Sequence, residues 1–203
     1  MNHHYLMSFS TGGLFLTESI KVVECFMRLA DWPRVREHVL AINLLQVRAL
    51  STGKRVVREV ISRLKELSPE ELTLLLHGDS QEQSAILWIA VCRHYHFIGE
   101  FACEVLRERY LSLQPDLQID DFIAFYNRKS DWHPELERLR QSTRKKLRQV
   151  LFMMMRDAHL LVEGDRINPP LLSDRLLATL VPEKRLQDLQ FFPVFETDIR
   201  IAR

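Results

Sequence analysis

Six glycines and eight prolines in 203 residues are too few for a fold built of many short strands and tight turns. Cysteine is scarcer still. Cys25, Cys92 and Cys103 are odd in number and lie within apolar patterns, which excludes a disulfide scaffold and suits reduced, buried thiols. A long hydrophobic run is missing too, because the longest, Ala85 to Cys92, is eight residues and a spanning helix needs about 20. Met1 to Leu16 lacks a charged segment followed by a long apolar one, so no secretory signal is read there and the expected location is cytoplasmic.

Chemistry is absent in the same way. No Ser/His/Asp or Cys/His arrangement, glycine-rich phosphate cradle or dinucleotide fingerprint appears. Thr11-Gly12-Gly13 is too short for a phosphate loop and lacks its lysine. Cys92, His94 and His96 form the densest group of ligand-type side chains, but helix positions two apart point about 200° away from each other and do not close on one ion. Asp116, Asp120 and Asp121 lack the acid-x-lysine strand of a nuclease centre, and Asp120 reads as a helix cap. The expectation is a protein that is not an enzyme and carries no cofactor and no metal.

What remains is helical. At 46% hydrophobic residues the chain can bury roughly 70% of its unfolded surface, enough for one domain or two small ones sharing a core. The net charge of +1 hides a segregated distribution: Arg34 to Lys65 holds eight bases and two acids, whereas Glu66 to Glu82 holds five acids and no base. Asp31, with Pro33 behind it, caps a first helix that fades near Asn43. Ser51 or Thr52 restarts the pattern, and Val56, Val57, Val60, Ile61, Leu64 and Leu67 fill the inward face. Lys54 and Arg55 open the opposite side. Arg55, Arg58, Ser62 and Lys65, at offsets of three, seven and ten residues, turn by about 300°, 700° and 1000° and so share one narrow stripe. Such a stripe suits a phosphate backbone or a groove.

A second basic helix lies in the other half. Arg138 to Arg156 holds seven bases and no acid, with Arg144, Lys145 and Arg148 opposite Val150 and Leu151. Ser142 and Thr143 sit at a helix N-terminus, where hydroxyls and free N–H groups suit phosphate. Leu160 to Ile167 reads as a turn or small hairpin. The predicted fold is all-α, a compact multi-helix globule with two helix-turn-helix-like elements and room for a small C-terminal wing. Residues 1–15 form an extended arm with a flexible Gly-Gly joint and two anchoring aromatics. Residues 16–114 carry the first helix-turn-helix, and residues 115–203, beyond the polar turn Gln114-Pro115-Asp116, carry the second.

The order and spacing of several segments resemble the BrxA family, the small helical component of bacterial BREX phage-defence systems. The segments are Ser8-Phe9-Ser10-Thr11-Gly12-Gly13, Asp31-Trp32, Asn43-Leu44-Leu45-Gln46, Lys54-Arg55 to Leu64, Trp88 through Leu111, Trp132-His133-Pro134-Glu135-Leu136 and Thr143-Arg144-Lys145-Lys146-Leu147-Arg148-Gln149. They span nearly the whole chain. The resemblance implies an all-helical monomer that binds duplex DNA and has no known enzymatic activity. Expected phosphate contacts are Lys54, Arg55, Arg58, Ser62 and Lys65 in the first element and Ser142, Thr143, Arg144, Lys145 and Arg148 in the second, with little sequence specificity. Two alternatives stand beside this one: an assembly factor whose basic faces dock acidic surfaces of other BREX proteins, and an RNA-binding helical protein.

Overall fold

A computed structural model describes residues 4–180 and 182–195. Helix starts with a polar side chain in the capping position appear where local chemistry puts them. Asp31 Oδ1 accepts the Arg34 N–H at 2.8 Å and opens α2 (Trp32–Ala41). Ser68 and Glu71 form a reciprocal capping box on α4 (Pro69–His77), and Asp79 and Glu82 form another on α5 (Ser80–His94). Other helices begin without side-chain caps, and two of them differ from the local expectation. Helix α1 (Leu16–Leu29) follows Phe15 in a left-handed conformation, so Thr17 lies inside the first turn and does not cap it. Helix α3 (Leu50–Leu64) starts from Ala49, just ahead of the expected Ser51 or Thr52.

The break between α5 and α6 (His96–Phe101) falls at Tyr95, which stands at φ −113° and ψ 89°. Gly99 lies inside α6 because a Cβ there would sit 2.9 Å from the Cys92 carbonyl oxygen. Its role is close approach of two helices, not termination. Helix α6 runs through a π-helical turn, Ala102–Arg107, into α7 (Glu108–Leu111).

In the second half, α8 (Ile119–Ser130) is followed by the four-residue α9 (Pro134–Glu137) and by α10 (Gln141–Asp157). Residues 138–140 separate α9 from α10, which leaves Ser142 and Thr143 in the first turn of α10. A hairpin then pairs β1 (Leu161–Val162) antiparallel with β2 (Arg166–Ile167), with Gly164 at φ 76° between them. The Ile167 N–H donates to the Pro115 carbonyl at 2.7 Å, adding the segment before α8 to the edge of the hairpin. Long helix, short helix, long helix and hairpin follow one another in winged-helix order. Ser173 caps α11 (Asp174–Thr179), and α12 (Pro182–Leu189) leads to a tail that Phe191 and Phe192 bury against the core.

Helix α5 is the centre of that core. Ala85 to Cys92 is buried without interruption, and α1, α3, α4 and α10 pack on it. Trp88 donates its Nε1–H to the Phe191 carbonyl at 2.9 Å, fastening the tail to this helix. Among the described residues no helix is long and apolar enough to cross a membrane.

The N-terminal arm is extended, but its Gly-Gly pair is not a free joint. Tyr5, Phe9 and Leu14 are buried. The Leu14 N–H donates to Asp157 Oδ2 at 2.9 Å, the Gly13 carbonyl accepts from Arg63 Nη1 at 2.9 Å, and the Tyr5 N–H donates to Glu135 Oε1 at 2.7 Å. A Cβ on Gly13 would lie 2.1 Å from Asp157 Oδ2. Gly13→Ala therefore has to push the arm off both partners, an overpacking cost of about 1–3 kcal/mol. The variant is expected to melt several degrees lower; an unchanged midpoint in thermal unfolding would show that the arm contributes nothing.

Candidate nucleic-acid interface

Helix α3 separates its residues as amphipathic spacing requires. Val56, Val57, Val60, Ile61 and Leu64 are buried, while Lys54, Arg55, Arg58 and Lys65 are exposed and Ser62 is half-buried at their edge. Its approach to α2 is set by the intervening turn. Asn43 and Gln46 adopt left-handed conformations, and the Asn43 side chain both accepts the Val47 N–H and donates to the Val47 carbonyl. Gly53 leaves room for that turn, since a Cβ there would meet Val47 Cγ2 at 2.9 Å. The turn is thus a fixed connector that holds the basic face of α3 outward.

One base in this region points inward. Arg63 is 2% exposed and donates through Nε to Glu59 Oε1 at 2.9 Å as well as to Gly13. Its guanidinium lies 5.4 Å from the Phe15 ring centroid and 5.7 Å from that of Tyr95. The Tyr95 hydroxyl also donates to Glu59. Burial and the Glu59 carboxylate push the Tyr95 phenol well above its ordinary range, so it stays a protonated donor. Setting this internal pair aside leaves seven exposed bases and one exposed acid between Arg34 and Lys65. None of the seven forms an ion pair among the described residues.

The acidic stretch that follows is not a matching surface. Glu71 and Glu82 are buried in capping boxes, Glu71 is also paired with Arg93, and Glu66 Oε1 lies 3.1 Å from His94 Nδ1. These carboxylates serve helix ends and the interior.

Helix α10 distributes its bases differently. Its first turn has no acid and no side-chain cap, so its leading N–H groups lie beside the exposed Ser142 and the half-buried Thr143. Arg138, Arg140, Lys145 and Lys146 are exposed and Arg148 is half-buried, all without an ion-pair partner among the described residues. Arg144 is engaged by its own backbone. It donates through Nε to the Leu139 carbonyl and through Nη2 to that of Glu137, each at 2.9 Å, and its guanidinium lies 5.0 Å from the Tyr126 ring centroid. The Tyr126 hydroxyl donates to the Leu136 carbonyl at 2.6 Å, completing a brace that sets the angle between α9 and α10. Arg156, counted with this helix from sequence, instead pairs with Asp165 at 2.6 Å.

Between α8 and α10 lies an open cleft of about 660 Å³, missed in the sequence because its two walls are about twenty residues apart and meet only in the fold. It brings together Ser142, Arg144, Lys145 and Arg148, four of the five residues expected in this element, over Phe122, Ile123 and Tyr126. Thr143 stands outside it. No group of three or more His, Cys, Asp or Glu side chains suited to a metal occurs among the described residues.

A BrxA family model matches residues 3–184. The chain is 24% identical over 147 residues to the BREX protein BrxA of Escherichia coli O9:H4 (strain HS), covering 72% of this chain and 69% of that protein. It is 28% identical over 142 residues to the BREX protein BrxA of Bacillus cereus (strain H3081.97), covering 68% of this chain and 71% of that one. The crystal structure of an uncharacterized protein from Magnetospirillum magneticum superposes with a TM-score of 0.82 at 18% identity, over 95% of this chain and 100% of the other. That likeness concerns the fold.

Proposed function

Because the chain belongs to the BrxA family of BREX phage-defence systems, we propose that it serves there by binding duplex DNA through phosphate contacts along α3 and the N-terminal half of α10. The observation that carries this reading is two helical faces rich in Lys and Arg that form no ion pair among the described residues: seven exposed bases to one exposed acid between Arg34 and Lys65, and an acid-free face with Arg140, Lys145 and Lys146 exposed and Arg148 half-buried. Unpaired cations on a rigid helix exchange condensed counterions for phosphates at little reorganisation cost. Low sequence specificity is part of the proposal, because contacts to phosphates position a protein on the duplex and carry no sequence information themselves.

The test is a salt series with a short duplex. Six phosphate contacts give a slope near −5 in log affinity against log salt, a loss of roughly 10³-fold between 50 and 200 mM. Binding that ignores salt, or no binding at the low end, would remove the reading.

A further inference from the structure

The cleft between α8 and α10 has a composition that a phosphate track alone does not need. Its walls carry three cations and, among the described residues, no acid. Its floor is apolar: Phe122 and Tyr126 are packed into the core, while Ile123 remains 43% exposed at the mouth. Arg144 is held over Tyr126 by two backbone carbonyls, its guanidinium 5.0 Å from the ring centroid, so its charge is not neutralised and its position does not need to be ordered by a ligand. A fixed guanidinium plane beside an exposed aliphatic wall is a stacking surface for a nucleobase, and Lys145 and Arg148 at the rim are free to hold the flanking phosphates. The volume of about 660 Å³ is within the range that encloses a small ligand.

We infer that this cleft takes one unpaired nucleotide of a DNA strand, its base lying between the Arg144 plane and Ile123 and its phosphates on Lys145 and Arg148. The inference rests on the DNA-binding reading and adds a base-shaped subsite to it. An acidic amphipathic segment of a partner protein has the matching charge as well, but it does not call for a guanidinium already fixed over an aromatic ring.

The experiment compares the full chain on three DNAs at one salt concentration: a plain duplex, the same duplex with one bulged nucleotide, and that bulge with the base removed. The abasic bulge keeps the flexibility of the backbone and lacks only the stacking base. The bulged duplex is expected to bind about tenfold tighter than the other two, and 2-aminopurine placed in the bulge is expected to lose fluorescence on binding. Ile123→Gln, a neutral change at an exposed position, should abolish the preference and leave plain-duplex affinity unaltered. Equal affinity for all three DNAs overturns the cleft assignment while leaving duplex binding intact. Failure of every DNA to bind overturns both. Saturable binding of a Glu-rich amphipathic peptide that Ile123→Gln abolishes, without any bulge preference, assigns the cleft to a protein partner and overturns the nucleotide.

Discussion

Reversing three charges on α3, with Arg55→Glu, Arg58→Glu and Lys65→Glu together, is expected to weaken duplex binding by roughly 10²–10³-fold near 0.1 M salt and to reduce the salt slope by about three. All three side chains are exposed and none forms an ion pair among the described residues. The substitutions should therefore leave the melting temperature unaltered, since surface changes away from a cap or network stay within about ±0.5 kcal/mol. The matching set on the second face, Arg140→Glu, Lys145→Glu and Arg148→Glu, separates the roles of the two helices. If both faces touch one duplex, each set lowers the slope and the combined variant lowers it by the sum. If only α10 is used, the α3 set shows wild-type affinity and the contact surface contracts to the second half. Neither set mattering would end the DNA reading. Arg144 belongs in neither set, because replacing it releases the α9–α10 brace and mixes a folding effect with a binding one.

Arg93→Met should produce the largest loss of stability of any single change described here. The Arg93 side chain is 7% exposed and lies between two fully enclosed carboxylates, 2.7 Å from Glu71 Oε2 and 2.7 Å from Asp188 Oδ2. It also donates to the Glu66 carbonyl at 2.8 Å. Methionine fills much of the volume and removes the one cation among the described residues that pairs with both acids, leaving two like charges buried together. Loss of one partner from such a site costs about 3–5 kcal/mol, or roughly 6–20 °C in melting temperature for a chain of this size. The defect should depend on pH. Burial already holds the Asp188 carboxyl above its ordinary value despite Arg93. A carboxyl whose folded-state pKa is raised stabilises the fold below its unfolded value, and that contribution is lost as pH rises through the folded value. The destabilisation of Arg93→Met is therefore expected to be larger at neutral pH than in mild acid, and Asp188→Asn in that background should recover part of it. Denaturant melts at several pH values check both points; a pH-independent loss, with no rescue, would show that packing and not charge is at stake.

The legible part of this molecule was what the chain decides locally. Asp31, Ser68 and Ser173 announce helix starts because a cap is one short-range hydrogen bond between a side chain and an N–H two or three residues on. The α3 stripe could be read for the same reason: exposure on a helix follows spacing, and Lys54, Arg55, Arg58 and Lys65 are all on the open side. Phe15, Ala49 and Arg140 precede helices without capping them, so tertiary packing places those boundaries and the sequence has no signal for them. Arg63 was counted with the exposed bases because its Gly13 partner lies 50 residues away. An interruption in a hydrophobic face was the clue available, since Arg63 stands beside Leu64 and four residues after Glu59 on the buried side. Arg144 had no such clue, because its partners are backbone carbonyls. Arg93, at the end of an apolar run, carries the same clue in α5.

The arm joins elements that are made at very different times. Gly13 meets Arg63, but Leu14 waits for Asp157 and Tyr5 for Glu135, partners 143 and 130 residues downstream. At roughly 5–20 residues per second of synthesis, Tyr5, Phe9 and Leu14 spend on the order of ten seconds or more outside the ribosome before their sites exist. A segment translated well before its partners is among the last to be seated, and until then its apolar side chains are exposed to chaperones and proteases.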